Sequence, residues 1–111
     1  MPLEADMQGK TLVIRAQAGR IDAAAAIQFK ERMRDLIAQP SERVILDLSQ
    51  VDFLDSSGLG AVVAVMKLLA PARQLELAGL TPPVEKVFRL TRMDSVFTIH
   101  REVEQGLRHA G

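Results

Sequence analysis

The stretch Arg43-Val44-Ile45-Leu46-Asp47-Leu48-Ser49-Gln50-Val51-Asp52-Phe53-Leu54-Asp55-Ser56-Ser57-Gly58-Leu59-Gly60 decides the fold. Its first six residues form a short aliphatic run, the pattern of a central strand covered on both faces. Its end concentrates helix-capping residues, Asp55, Ser56 and Ser57, directly before Leu59 to Ala70, a segment helical by length and composition. A strand that feeds a helix through a capping turn is the repeating unit of an α/β domain.

Upstream, Leu3 to Met7 reads as an edge strand, Gln8-Gly9-Lys10 as a turn and Thr11 to Gln17 as a second strand. Ala18-Gly19-Arg20-Ile21-Asp22 breaks the pattern, and Asp22 is placed to cap the helix that begins at Ala23. Ala26, Phe29, Met33, Leu36 and Ile37 recur at helical spacing and give that helix one apolar stripe. Gln39-Pro40-Ser41 ends it. Downstream, Pro71 stops the helix after the serines, Gln74 to Ala78 reads as a strand, and Thr81-Pro82-Pro83 opens a helix whose inner face is Val84, Val87 and Phe88. A weak strand at Phe97 to His100 and a last helix carrying Val103 and Leu107 complete the order ββαβαβαβα. With no repeat and no linker, residues 1–111 are expected to form one α/β domain, a mixed, mostly parallel sheet of about four to five strands with helices packed on it.

Composition narrows the function classes. Fourteen basic residues balance fourteen acidic ones, and the only aromatic residues are four Phe, so nucleic acid finds neither an attracting field nor a stacking platform. Cysteine is absent, which excludes disulfides and thiolate zinc sites. The acidic start Met1 to Asp6 lacks the basic and apolar regions of a signal peptide, and a cytoplasmic location is expected. Leu59 to Ala70 carries one charged residue, Lys67, yet falls short of the roughly 20 apolar residues that span a bilayer. Either it is buried against the sheet and its neighbours, or Leu59, Val62 or Val63 is left partly exposed for a partner.

Two readings of the serine pair stand side by side. In one, a hydroxyl satisfies a free amide of the first helical turn, which is worth about 1 kcal/mol. In the other, a phosphate on a serine at a helix N-terminus meets backbone donors and the positive end of the dipole, so the fold carries it while a docked partner does not.

At this point the residues carry a resemblance. Val44 to Leu48 followed by Val51-Asp52-Phe53-Leu54-Asp55-Ser56-Ser57-Gly58-Leu59-Gly60 resembles the signature of STAS-domain anti-sigma-factor antagonists. Gly19-Arg20-Ile21-Asp22 is similar to the family's Gly-x-hydrophobic-Asp turn, and Pro83-Val84-Glu85-Lys86-Val87-Phe88 to its third helix, so the likeness covers nearly the whole chain. It implies that Ser56 is phosphorylated by an anti-sigma factor with serine kinase activity, and that Asp22, Asp55, Ser56, Ser57, Gly58 and Leu59 meet the partner. It implies partner switching: the unphosphorylated form binds the anti-sigma factor, the phosphorylated form releases it, and a serine phosphatase resets the system. ATP would belong to the kinase, leaving this chain with no cofactor and no catalytic residue. The alternative is a STAS accessory or scaffold subunit of a lipid-transport ATPase or a stress-signalling complex, not phosphorylated.

Rival chemistries fail on spacing. Gly58-Leu59-Gly60 has Val63 where a dinucleotide fingerprint needs its third glycine. Neither Ser56 nor Ser57 stands between two glycines as a hydrolase elbow requires. Asp47, Asp52 and Asp55 lack the glycine and terminal Glu of a calcium loop and read as turn and cap residues. His100 and His109 read as surface histidines, and Met33, Met66 and Met93 as core filling.

Overall fold

The computed structural model describes residues 1–109. Chain order is β1 (Leu3–Gln8), β2 (Thr11–Ala16), β3 (Arg20–Ile21), α1 (Ala23–Ile37), β4 (Arg43–Asp47), β5 (Phe53–Leu54), α2 (Ser56–Leu69), β6 (Leu75–Ala78), α3 (Pro82–Leu90), a 3-10 turn (Met93–Ser95), β7 (Thr98–His100) and α4 (Val103–Arg108). β1 and β2 form the expected hairpin around Gly9, whose φ of +64° suits a residue without a β-carbon.

The Arg43–Asp47 run lies in the middle of a five-stranded sheet of order β1-β2-β4-β6-β7. Only the β1 pairing is antiparallel; β2, β4, β6 and β7 are parallel, as strands joined through helices must be. Alternation splits the side chains between the two faces. Leu12, Ile14, Val44, Leu46, Leu75 and Leu77 point into the main core, where Phe29 and Met33 of α1, Val62 and Val65 of α2, and Val84 and Phe88 of α3 close over them. Val13, Ile45 and Ala78 point the other way, into a small cluster under Val103 and Leu107 of α4.

That second face departs from the sequence reading. His100 is not a surface residue: it is 6% exposed, and its Nε2 lies 2.8 Å from Oε1 of Glu76, itself 5% exposed. Arg43 closes the cluster, its Nε donating to Glu76 Oε2 at 2.8 Å while one terminal nitrogen donates to the carbonyl of Gly106 at 2.8 Å and the other to that of His109 at 3.2 Å. Gly106 rests on the His100 ring, where an added β-carbon would stand 2.8 Å from Cδ2. One ion cluster thus ties β4, β6 and β7 to the end of α4. Burial opposes the charge on Glu76, but the hydrogen bonds from Arg43 and His100 outweigh it and hold the carboxyl below its ordinary range. His109 is exposed, as expected.

Two further differences position the site. Arg20–Ile21, within the expected break at Ala18 to Asp22, and Phe53–Leu54, to which the pattern gives no element, pair as a separate parallel two-stranded ladder. Thr81 stands at the N-cap of α3 without capping it; its hydroxyl donates to the Val51 carbonyl at 2.7 Å and pins the loop that leads into β5.

Candidate functional site

Each helix start next to the two-residue ladder follows its strand after a single residue. Ile21 is followed by Asp22 and α1, and Leu54 by Asp55 and α2, so pairing the two strands sets the two helix N-termini side by side. Both cap residues have extended backbones, with φ/ψ of −101°/−173° at Asp22 and −96°/−173° at Asp55. Asp22 Oδ1 accepts from the Ala25 amide at 3.1 Å. Asp55 does two things: Oδ1 accepts from the Gly58 amide at 2.9 Å, and Oδ2 from the Ala23 amide of α1 at 3.2 Å. A single carboxylate therefore satisfies free amides of both helices.

This settles which residue caps α2. The hydroxyl of the serine pair is not the cap; Asp55 is, and Ser56 and Ser57 are the first two residues of the helix itself. Both are exposed, and neither hydroxyl has a hydrogen-bond partner among the described residues. Gly58 is buried, in contact with the Ile21 backbone and the Leu54 side chain. Leu59 and Val63 are half-buried and Val62 is fully enclosed, while Leu68 near the far end of the helix is exposed, so α2 is mainly a core helix with part of its apolar surface in water. Gly60 faces open space.

Around the helix starts the surface is mixed. Arg20 lies 4.1 Å above the Phe53 ring and 3.4 Å from Asp22 Oδ2, joining the two strands on their outer side. Asp22 is held below the usual carboxylate range, first by the Ala25 amide and then by Arg20. Phe53 is 38% and Ile27 of α1 is 64% exposed. The Arg20–Phe53 pair escaped the sequence reading, although a cation and an aromatic residue on adjoining strands are its only possible signal.

Chemically, the site presents an unengaged hydroxyl over the first turn of a 14-residue helix. Among the described residues no general base is hydrogen-bonded to it, and Asp55 next to it spends both oxygens on amides. An added phosphate would sit at the positive end of the helix, where anions are stabilised. Of the other acids, Asp47 accepts from the Ser49 amide at 2.9 Å, a turn role, and no cluster among the described residues has the makings of a metal site. No helix among them is long and apolar enough to cross a membrane.

Comparison with known proteins agrees with this architecture. The family model described as STAS domain matches residues 3–106. An anti-sigma-B factor antagonist of Listeria monocytogenes is 34% identical over 74% of this chain and 73% of its own length. The crystal structure of an anti-sigma factor antagonist from Mycobacterium paratuberculosis superposes with a TM-score of 0.86 at 22% identity, covering 96% of this chain and 90% of that one. The anti-sigma factor antagonist SpoIIAA in its unphosphorylated form gives a TM-score of 0.70 at 27% identity, over 93% and 91% of the two chains. The Bacillus SpoIIAA structure in the phosphorylated form gives 0.64 at 26%, over 93% and 95%.

Proposed function

The chain belongs to the STAS domain family, and from that premise we propose that it is an anti-sigma factor antagonist controlled by phosphorylation of Ser56. The observation that carries this reading is the division of labour at the start of α2: Asp55 does the capping, and Ser56 stands exposed with a hydroxyl the fold does not use. Such a serine accepts a phosphate without loss of structure, because the modification displaces no hydrogen bond and adds negative charge at a favourable helix end. A surface made by Asp22, Asp55, Ser56, Ser57 and Leu59 meets an anti-sigma factor that carries serine kinase activity, while Gly58, expected to face the partner, is buried beneath that surface against Ile21 and Leu54. Unphosphorylated chain binds it and frees the sigma factor; the phosphate dianion repels the docked surface, and a serine phosphatase restores the binding form. The chain is then a substrate of its partners in the cytoplasm and not itself an enzyme. Antagonist naming of the relatives, and a SpoIIAA structure in phosphorylated form, support this assignment.

The test is incubation with the cognate anti-sigma kinase and ATP, followed by phosphopeptide mass spectrometry. One phosphate on Ser56 is expected, and modification elsewhere or none rejects the assignment. Recovery from native extract of a transporter complex, in place of a small ATPase and a sigma factor, would favour the accessory-subunit alternative.

A further inference from the structure

β7 is one of the two edges of the main sheet. The carbonyl of His100 accepts inward, from Gly79 at 3.2 Å, and the alternation of a parallel ladder therefore turns the N–H and C=O of Ile99 outward, unpaired by β6. Along this edge runs a groove in two joined sections of ≈ 300 and ≈ 270 Å³, which share Leu80, Glu85 and Ile99. Phe88, Arg89 and Asp94 complete one section, His100 and Arg101 the other. The middle of the groove thus holds the aliphatic Leu80 and Ile99 beside Glu85, with Asp94 at the end where β7 begins and Arg101 at the end where it finishes. Glu85 and Arg89 on its α3 side pair with each other at 3.2 Å. Asp94 and Arg101 are exposed, and neither makes an ion pair among the described residues. Two exposed aliphatic residues flank Asp94 in the chain, Leu90 at 71% and Val96 at 49% exposure.

From this polarity we propose that the β7 edge is a self-association surface, whose occupant is a second copy of this chain. Two β7 strands related by a two-fold axis through Ile99 run antiparallel. The Ile99 peptide groups then exchange hydrogen bonds, and the Arg101 end of each copy falls on the Asp94 end of the other. A two-fold contact must be self-complementary, and a groove with one unpaired charge of each sign at opposite ends meets that condition. β7 offers its copy only three residues to pair with, so the association is weak and depends on the charge pairs and on covering Val96 and Leu90. This surface is separate from the Ser56 site, and its test needs no anti-sigma factor.

Sedimentation equilibrium up to millimolar concentration, with the fold of each variant checked by circular dichroism, decides it. The wild-type chain is expected to form a dimer, and Asp94→Arg or Arg101→Asp alone to weaken it about tenfold or more, as two repulsive contacts replace two attractive ones. The double exchange, Asp94→Arg with Arg101→Asp, is expected to restore it. A monomer at every concentration, a dimer indifferent to the single exchanges, or a double variant no tighter than the singles overturns the proposal.

Discussion

Gly58 and Ile21 meet with no room between them: a β-carbon on Gly58 would overlap the Ile21 carbonyl oxygen and come within 2.8 Å of Leu54 Cδ1. The start of α2 can lie against the β3–β5 ladder only because this position has no side chain. Gly58→Ala is therefore expected to cost about 3 kcal/mol, since the obstacle is backbone and cannot rotate away. Gly60, two residues on, faces open space inside the same helix, and Gly60→Ala is expected to be neutral or to stabilise by about 0.5–1 kcal/mol. Urea denaturation of the two variants separates packing clearance from mere helix propensity.

Asp55 serves two helices, and its removal should be felt at both. Asp55→Ala is expected to cost about 2 kcal/mol, the upper part of the range for a single cap, whereas Asp55→Asn keeps an acceptor for Gly58 and loses less. Amide hydrogen exchange checks the mechanism: protection should fall at Ala23 in α1 as well as at Gly58 in α2.

Charge at position 56 should leave the fold intact. Ser56→Asp places a carboxylate in the first turn of α2, where the helix dipole favours it by about 0.3–1 kcal/mol, so thermal unfolding is expected at an unchanged or slightly higher temperature. In titrations against the anti-sigma partner the same variant should bind at least about tenfold more weakly than Ser56→Ala, which should match wild type. Equal affinities would contradict a charge-operated switch, whatever the melting curves show.

Glu76 links stability to acidity. Its carboxyl is depressed in the folded chain: burial works against ionisation, but Arg43 and His100 together more than compensate. A depressed folded value means that the stabilisation is complete above the ordinary Glu value and is lost as pH falls through the folded one. Glu76→Gln is expected to cost about 2–3 kcal/mol at neutral pH and to remove this component of the acid limb, giving a flatter dependence of the urea midpoint on pH below the ordinary Glu range.

The elements that the chain spells out in its own pattern were readable from it: the aliphatic run of β4, the Ala26–Phe29–Met33–Ile37 stripe of α1, and the Pro-opened α3. β3 and β5 were not, because two residues cannot display a period; their pairing comes from tertiary placement, with the Asp52 and Phe53 amides bonded to the Gly19 carbonyl at 2.8 and 3.2 Å. Within Asp55-Ser56-Ser57 the sequence offers three capping side chains in a row, and only the backbone decides among them, turning helical at Ser56. Glu76 and His100 were missed for a different reason. Each is unremarkable in its own short strand, and the cluster exists only because β6 and β7 are neighbours and a six-residue helix covers that face. Leu59 fell between the two expectations for its helix, half in the core and half out.

With Asp55 already closing α2, the architecture makes no demand on what stands at position 56. A hydroxyl, a small apolar group or an acid would each leave the domain assembled. Evolution can therefore rewrite that one site under the pressure of its readers alone, retuning or silencing a regulatory circuit with no structural debt to settle elsewhere in the molecule.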